Sequence, residues 1–235
     1  MPPVPEVGRN AEVTLVTLVY RSLPWLQYVM DGVAAAKTQT RYKWCIVSND
    51  GTPEVRNDPR ITIDWENADP SEHYIARTYR AWTEGILNAT TPWVILLNND
   101  MQCTDYAIDE LIAAKRADPK SLPCGLLVEN GRIPSGMPEF VRDFGTHPDN
   151  FRAQEFLQYA NTIRHRGVVE PGRLYQPVLF DRQEYFDLGG YPCGNVGGVS
   201  GDRLLFDRYV QAGFRWITCK GSVWYHHQEG EIRNG

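Results

Sequence analysis

The sequence lacks several features that define whole classes of protein. No apolar run approaches the ~18–20 residues that a membrane-spanning helix needs, and the Pro-rich start, MPPVPEVGRN, has no signal-peptide core. The five cysteines are widely spaced and form no C-x-x-C pair. This spacing argues against a thiolate zinc site, and we interpret the cysteines as reduced thiols, most of them buried. We therefore expect a cytoplasmic protein with no transmembrane segment.

Positive charge and the common catalytic motifs are also scarce. The 24 Lys and Arg against 29 Asp and Glu give a net charge of -5, which argues against broad nucleic-acid binding. The glycines at 197, 198 and 201 are not followed by Gly-Lys-Ser/Thr, so they form no phosphate-binding P-loop. Neither G-x-S-x-G nor H-E-x-x-H occurs. The 235 residues, 42% of them hydrophobic, fit a single globular domain over residues 1–235.

Buried strand patterns alternate with helical patterns along most of the chain. The predicted strands cover residues 13–20, 44–48, 60–65, 93–97, 122–129, 174–181 and 222–225. The predicted helices cover residues 23–37, 73–89, 105–117, 150–164 and 202–212, with Thr104 as the cap of the third. The alternation predicts an α/β fold with a mainly parallel central sheet flanked by helices. Residues 130–172, rich in Gly and Pro, interrupt it, and we expect an insertion that forms a lid or shapes the acceptor site.

Polar residues follow two of the predicted strands directly. Parallel sheets bind ligands at the carboxyl ends of their strands. Asn98-Asn99-Asp100 follows strand 93–97, where a carboxylate can bind Mg²⁺ or Mn²⁺ or the residues can form a capped turn. Asn49-Asp50-Gly51 follows strand 44–48, where Asp50 can accept hydrogen bonds from a nucleoside or, again, lie in an ordinary turn.

Two more candidates lie near the end of the chain. Gly201-Asp202 opens a predicted helix, so Asp202 either caps the helix or acts as a general base towards an acceptor hydroxyl. His226-His227 follows the last predicted strand. Adjacent side chains there point to opposite sides, so one imidazole can be a metal ligand; the alternative is two surface histidines.

Taken in order, these segments resemble the family 2 glycosyltransferases, which have the GT-A fold. VTLVTLVYRS resembles the first strand of that family, and VSNDGT resembles its Val-Asp-Asp-Gly-Ser. The run ARTYRAWTEGILNATTPWVILLNNDM resembles the segment from the nucleotide-contacting Arg to the Asp-x-Asp metal motif. LFDRQEYFDLGGY with SGDRLLFDRYVQAGFRW resembles the acceptor strand and the Glu-Asp motif, and WYHHQEG resembles the C-terminal His segment.

The resemblance implies a metal-dependent inverting transfer of a sugar from a nucleoside diphosphate donor, with UDP-sugar as the first choice, to an acceptor hydroxyl. The resemblance leaves the acceptor open between a saccharide chain, a lipid-linked glycan, a protein side chain and a modified nucleic-acid base. Asp202 is implied as the general base, and Asp100 with His226 or His227 as the ligands of Mn²⁺ or Mg²⁺. The implied donor-binding residues are Leu18, Tyr20, Asp50, Arg77, Asn98 and Asn99.

Two positions depart from the family pattern. Asn98 stands at the first carboxylate of Asp-x-Asp, and Gly201 stands where the family has Glu. We expect a working enzyme with an unusual acceptor site. The alternative is a catalytically weak or inactive GT-A-like module that binds a nucleotide-sugar or a glycan, and detectable turnover separates the two. A sugar-1-phosphate nucleotidyltransferase is disfavoured, because Tyr20-Arg21-Ser22 occupies the place of its Gly-rich basic loop.

Overall fold

The computed structural model describes residues 10–20, 23–49, 57–66, 71 and 73–229. Nine strands lie in this part of the chain: β1 (Val13–Val19), β2 (Tyr42–Ser48), β3 (Ile61–Glu66), β4 (Trp93–Leu96), β5 (Met101–Cys103), β6 (Ser121–Glu129), β7 (Val169–Pro171), β8 (Val178–Asp181) and β9 (Arg215–His226). The α-helices described are α1 (Leu23–Ala35), α2 (Tyr74–Asn88), α3 (Ala107–Ala117), α4 (Ala153–Ile163), α5 (Arg182–Asp187) and α6 (Gly201–Gln211). None of these helices is long and apolar enough to cross a membrane.

The strands form one sheet with two different halves. Its order is β3-β2-β1-β4-β8-β6-β9-β5, and β7 also pairs with β9. β3, β2, β1 and β4 are all parallel. β8 is antiparallel to both β4 and β6, β6 and β9 are parallel, and β5 and β7 are antiparallel to β9. The predicted α/β fold is confirmed, whereas the parallel arrangement holds for the first half and the second half is mixed.

The parallel half is buried on both faces, as its apolar strands predict. Leu15 and Val19 pack into one core with α1 and α3, while Val16 and Leu18 pack into a second core with α2 and α6. A Cβ atom on Gly85 of α2 would lie 2.4 Å from Val16 Cγ1, so glycine allows α2 to approach the sheet closely. Strands covered on both faces by helices are typical of parallel sheets.

The insertion 130–172 packs onto the mixed half through a third apolar cluster. Leu126 and Val128 of β6 and Tyr225 of β9 contact it. The buried residues that the insertion contributes are Met137, Phe144, Phe156 and Ala160. The insertion is therefore attached to the sheet by its own core, and its role as a lid stays a prediction.

Several element boundaries differ from those predicted. β5 and α5 were not expected, because three and six residues are too short to show a periodic pattern. The last strand begins at Arg215 instead of residue 222, and the strand predicted from residue 174 begins at Val178. Thr104 as a helix cap is wrong: α3 begins at Ala107, and the Thr104 hydroxyl donates to the Val223 carbonyl of β9 at 3.1 Å.

Candidate active site

Three adjacent strands bring polar side chains together at one edge of the sheet. The register pairs Glu129 of β6 with His226 of β9, and His226 with Met101 of β5. Asp100 immediately precedes Met101. The strand pairing therefore places Glu129, His226 and Asp100 in a row, although they are far apart in the sequence.

His226 lies between two carboxylates. Its Nε2 is 3.4 Å from Asp100 Oδ1, and its Nδ1 is 3.1 Å from Glu129 Oε1. Burial alone would lower the pKa of His226, but the charges and hydrogen bonds of Asp100 and Glu129 raise it to about 10. Asn98 Nδ2 lies 3.4 Å from the same Nε2. The two carboxylates therefore favour a positive charge at this position, carried either by a proton on Nε2 or by a cation that replaces that proton.

His227 is directed away from this pair and is fully buried among aromatic rings. Burial lowers its pKa to about 4, so the ring is neutral. Nδ1 donates to the Gly145 carbonyl at 3.1 Å, which leaves Nε2 to accept from the Tyr28 hydroxyl at 3.1 Å. Both ring nitrogens are engaged by protein groups. Its backbone N–H donates to the Asp100 carbonyl at 3.1 Å, so His227 supports the loop that carries Asp100.

Asp100 and His226 fit a divalent cation as a pair of ligands. They offer a carboxylate oxygen and an imidazole nitrogen, both used by Mn²⁺-type ions. Within the described ranges, no group of three His, Cys, Asp or Glu side chains is arranged to hold a metal ion. A cation here therefore needs further ligands from a bound substrate or water. The second Asp100 oxygen accepts from the Glu229 N–H at 2.9 Å.

Asp202 forms a second centre, at the N-terminus of α6. The Tyr191 hydroxyl donates to its Oδ1 at 2.9 Å, and the Tyr79 hydroxyl donates to its Oδ2 at 3.1 Å. Burial raises the pKa of Asp202, and the hydrogen bonds from Tyr191 and Tyr79 oppose that rise. The helix itself is capped by Ser200, whose Oγ accepts from the Arg203 N–H. Because Ser200 provides the cap, Asp202 is available for another role.

Helix α2 carries one residue that lies near Tyr20, a predicted donor-binding residue, and another that contacts the Asp202 carboxylate. Arg77 lies in its first turn, and the guanidinium carbon is 5.9 Å from the ring centre of Tyr20, just after β1. Tyr79, two residues later, reaches Asp202. Since α2 follows the parallel strand β3, its first turns lie at the carboxyl edge of the sheet. Tyr20, Arg77 and Asp202 therefore share that edge.

The other predicted donor residues occupy different environments. Asn99 and Asp100 are buried after β4, and Asn98 is half-buried. Leu18 packs in the core against α2, with 8% of its surface exposed. Asp50 lies outside the described residues. The contacts of these residues with a nucleotide stay predictions.

Three residues of the site were missed from the sequence: Glu129, Tyr79 and Tyr191. Glu129 ends a predicted strand, so the rule that singled out Asn98-Asn99-Asp100 could also have found it. From the sequence, Tyr79 is only one residue of the predicted helix 73–89. Its hydroxyl contacts a residue 123 positions away, and no local pattern predicts such a contact.

Comparisons with known proteins agree with this architecture. A sequence profile described as glycosyl transferase family 2 matches residues 14–167. No curated protein matches the sequence. The fold is similar to the crystal structure of S. aureus TarS 1-349, with a TM-score of 0.60 and 12% identity. The match covers 92% of this chain and 60% of the TarS chain, so this chain spans about three fifths of that structure.

The two comparisons cover different shares of the chain. The profile covers more than half of the chain, including Tyr20, Arg77 and Asp100. At so low an identity, the structural match shows the fold alone, and its 92% coverage extends beyond residue 167, where the profile ends. This chain therefore belongs to glycosyl transferase family 2 and has the GT-A fold.

Proposed function

We propose that this chain is a glycosyltransferase that moves a sugar from a nucleoside diphosphate donor to an acceptor hydroxyl, with inversion at the anomeric carbon. The observation that carries the proposal is the environment of Asp202. Its carboxylate is half-buried at the start of α6, held by two hydroxyl donors, and shares a sheet edge with Tyr20 and Arg77. This is the environment that a general base requires.

In the proposed reaction, Asp202 accepts the proton of the acceptor hydroxyl. The acceptor oxygen forms a bond to the anomeric carbon from the face opposite the diphosphate. The bond between that carbon and the diphosphate oxygen breaks, and its electron pair leaves with the nucleoside diphosphate. The stereochemistry follows from attack on the opposite face, and a positioned base contributes about 10²–10⁴-fold to the rate.

Asp100 and His226 are the proposed protein ligands of Mn²⁺ or Mg²⁺. A cation bound there supplies positive charge to the diphosphate leaving group. Glu129 accepts from His226 Nδ1 and so directs Nε2 towards Asp100, an arrangement common to metal-binding histidines. This pairing, with both His227 nitrogens engaged elsewhere, favours His226 over His227 as the ligand.

The donor is proposed to lie along the ends of β1, β2 and β4, with UDP-sugar as the first donor to test. Arg77 and Tyr20 are positioned for the nucleoside diphosphate, since a guanidinium pairs with phosphate and a phenol ring offers a stacking surface. We also propose donor contacts for Asn98 and Asn99. Leu18 and Asp50 are also proposed as donor-binding residues, and only the family resemblance supports them.

Thermal unfolding with a panel of nucleotides and nucleotide-sugars, with and without Mn²⁺, tests the donor and metal sites. A ligand at 100 times its Kd adds about 2.7 kcal/mol to stability. We expect a Mn²⁺-dependent rise in Tm with one nucleoside diphosphate series, lost in Asp100→Ala. The matched control is Asp187→Ala, an exposed aspartate on α5, which should respond like the wild type. An equal Mn²⁺-dependent rise in Asp100→Ala would contradict the metal site.

A binding module without turnover is the second candidate. It is favoured by Asn98 and Gly201, which remove two carboxylates that the family pattern contains. Release of free sugar from the donor, or its transfer to glycan, protein or nucleoside acceptors, separates the candidates. Turnover that disappears in Asp202→Asn supports the enzyme, whereas tight donor binding with no turnover supports the module.

A further inference from the structure

Two tyrosines from different elements hold the two oxygens of the Asp202 carboxylate. Tyr79 comes from α2 and Tyr191 from the loop before α6, and their rings stack in parallel with centroids 4.8 Å apart and planes 6° apart. Each hydroxyl donates to a different carboxylate oxygen, at 3.1 Å and 2.9 Å. The two bonds therefore fix both the position and the rotation of the carboxylate plane.

We propose that Tyr79 and Tyr191 are positioning residues that orient the Asp202 carboxylate and keep it ionised until an acceptor hydroxyl binds. The inference rests on the proposed role of Asp202 as the base. A carboxylate has about four acceptor positions. The two tyrosines and the backbone N–H of Asp202 itself occupy three of them, so one position remains for a hydrogen bond from the acceptor.

The tyrosine pair is itself held by surrounding groups. The Tyr191 N–H donates to the Tyr185 hydroxyl at 2.9 Å, and that hydroxyl bonds Thr83 on α2 at 2.8 Å. The Trp82 ring contacts both stacked rings, with centroids 6.0 Å from Tyr79 and 5.3 Å from Tyr191. The rings are therefore constrained whether or not Asp202 is charged, and the two hydroxyls are in place before substrate arrives.

Gly201 allows this arrangement. A Cβ atom there would lie 2.3 Å from Cε2 of Tyr79, far inside van der Waals contact. The Gly201 N–H also donates to the Tyr79 hydroxyl at 3.1 Å. The ring of Tyr79 thus occupies the space that a side chain at position 201 would need, and its hydroxyl reaches the neighbouring Asp202.

The hydrogen bonds and burial act on Asp202 in opposite directions. Burial raises the pKa of the Asp202 carboxyl, while the bonds from Tyr191, Tyr79 and its own backbone N–H lower it. Burial raises the pKa of the nearby Tyr175 phenol, and the charge of the Asp202 carboxylate adds to that rise. Burial likewise raises the pKa of Tyr79 and Tyr191, so both remain protonated donors.

Tyr79→Phe and Tyr191→Phe test the proposal, because each removes one hydroxyl and keeps the ring. A hydrogen bond to a charged group corresponds to about ten- to a hundredfold in rate. We expect kcat to fall by about that factor, the acid limb of the pH profile to move to higher pH, and KM for the donor to stay unchanged. The matched control is Tyr209→Phe on α6, whose buried hydroxyl has no hydrogen-bond partner in the described part of the chain.

A titration that needs no turnover separates this proposal from the proposed function. In protein with ¹³C-labelled aspartate carboxyls, the Asp202 resonance is assigned by its loss in Asp202→Asn. We expect it to titrate at higher pH in both Phe variants than in the wild type and Tyr209→Phe. An unchanged titration overturns the positioning role, even where Asp202→Asn abolishes transfer. A shifted titration with full turnover in Asp202→Asn supports the tyrosine contacts and removes Asp202 as the base.

Discussion

The two carboxylate centres of this chain are built in opposite ways. Asp100 faces a charged partner, since His226 lies 3.4 Å away and is held in turn by Glu129. Asp202 is held by two neutral hydroxyls at the start of a helix. A carboxylate paired with a cation is a poor base, because losing its charge breaks the pair. A carboxylate bonded to neutral donors in a buried setting retains affinity for a proton.

The two centres are also assembled by different means, one by strand pairing and the other by helix packing. The Asp100 centre (Asp100, Glu129 and His226) is assembled by pairing of the strands β6, β9 and β5. The Asp202 centre (Asp202, Tyr79 and Tyr191) depends on helix packing and on a close approach at Gly201. The same residue type can thus serve as a ligand or as a base, and its partners decide which role it takes.

The largest effect should come from Asp202→Asn. Asparagine keeps the size of the side chain but cannot accept the acceptor proton, so turnover should fall by about 10²–10⁴-fold. Donor-induced stabilisation should remain, since the donor is proposed to bind at the Asp100 centre and the ends of β1, β2 and β4. Asp207→Asn, in the same helix and paired with Arg203, is the control for turnover and donor binding. Turnover near the wild-type value would remove Asp202 from the role.

Glu129→Gln should have the next largest effect, confined to the Asp100 centre. Hydrogen bonds from His226, Ser135 and Gln228 outweigh burial and lower the pKa of Glu129, so it carries a charge that glutamine lacks. Losing such a partner of a metal-binding histidine reduces metal affinity by about 10–100-fold. Titration of Mn²⁺ with UDP present, followed by the electron paramagnetic resonance of free Mn²⁺, measures it.

The control for that titration is Glu139→Gln, because Glu139 is exposed and paired with Arg173. It should bind Mn²⁺ as the wild type does. Equal affinity in Glu129→Gln and the wild type would show that strand pairing alone orients His226. No Mn²⁺ binding in the wild type would instead contradict the proposed metal site.

The parallel half of the sheet was largely predictable from the sequence. Val13–Val19 and Trp93–Leu96 are apolar runs whose residues face helices on both sides, and such burial leaves a strong local pattern. The polar residues after β4 were predictable for the same reason, because they directly follow an apolar run. In the mixed half, β5 and α5 are too short to show any periodicity.

The contacts within the two centres could not be predicted, because they join distant residues. Glu129 and His226 are 97 positions apart, and Tyr79 and Asp202 are 123 apart. A tandem His-His pattern cannot say which ring faces Asp100. That choice depends on Tyr28 and the Gly145 carbonyl, which engage His227 from α1 and the insertion.

Gly201→Ala should reduce stability by about 1–3 kcal/mol, the usual cost of overpacking. The new methyl group would lie 2.3 Å from Tyr79 Cε2, so the ring must move. Urea unfolding measures the change. In a Tyr79→Leu background the same substitution should cost less, because the ring is absent. An equal cost in both backgrounds would show that Tyr79 does not require glycine at position 201.

The smallest expected effect is a gain in stability in Asp202→Asn, the same substitution that should reduce turnover. The pKa of Asp202 is raised in the folded protein by burial, so the folded state binds this proton more tightly than the unfolded chain does. The resulting stabilisation is complete below the unfolded pKa of about 3.9 and is lost as pH rises through the folded pKa. At neutral pH the burial of the charged Asp202 carboxylate therefore destabilises the folded wild type.

Asparagine at position 202 does not titrate, so Asp202→Asn should unfold at higher urea than the wild type at neutral pH. The difference should shrink as pH falls towards 4, where the wild-type carboxyl becomes protonated. Urea unfolding of both proteins at a series of pH values checks this, with Asp207→Asn as the control for a carboxylate in an exposed ion pair. A difference independent of pH would contradict the raised pKa of Asp202. A gain at neutral pH, together with lost turnover, would show that the Asp202 centre sacrifices stability for a base, as functional sites often do.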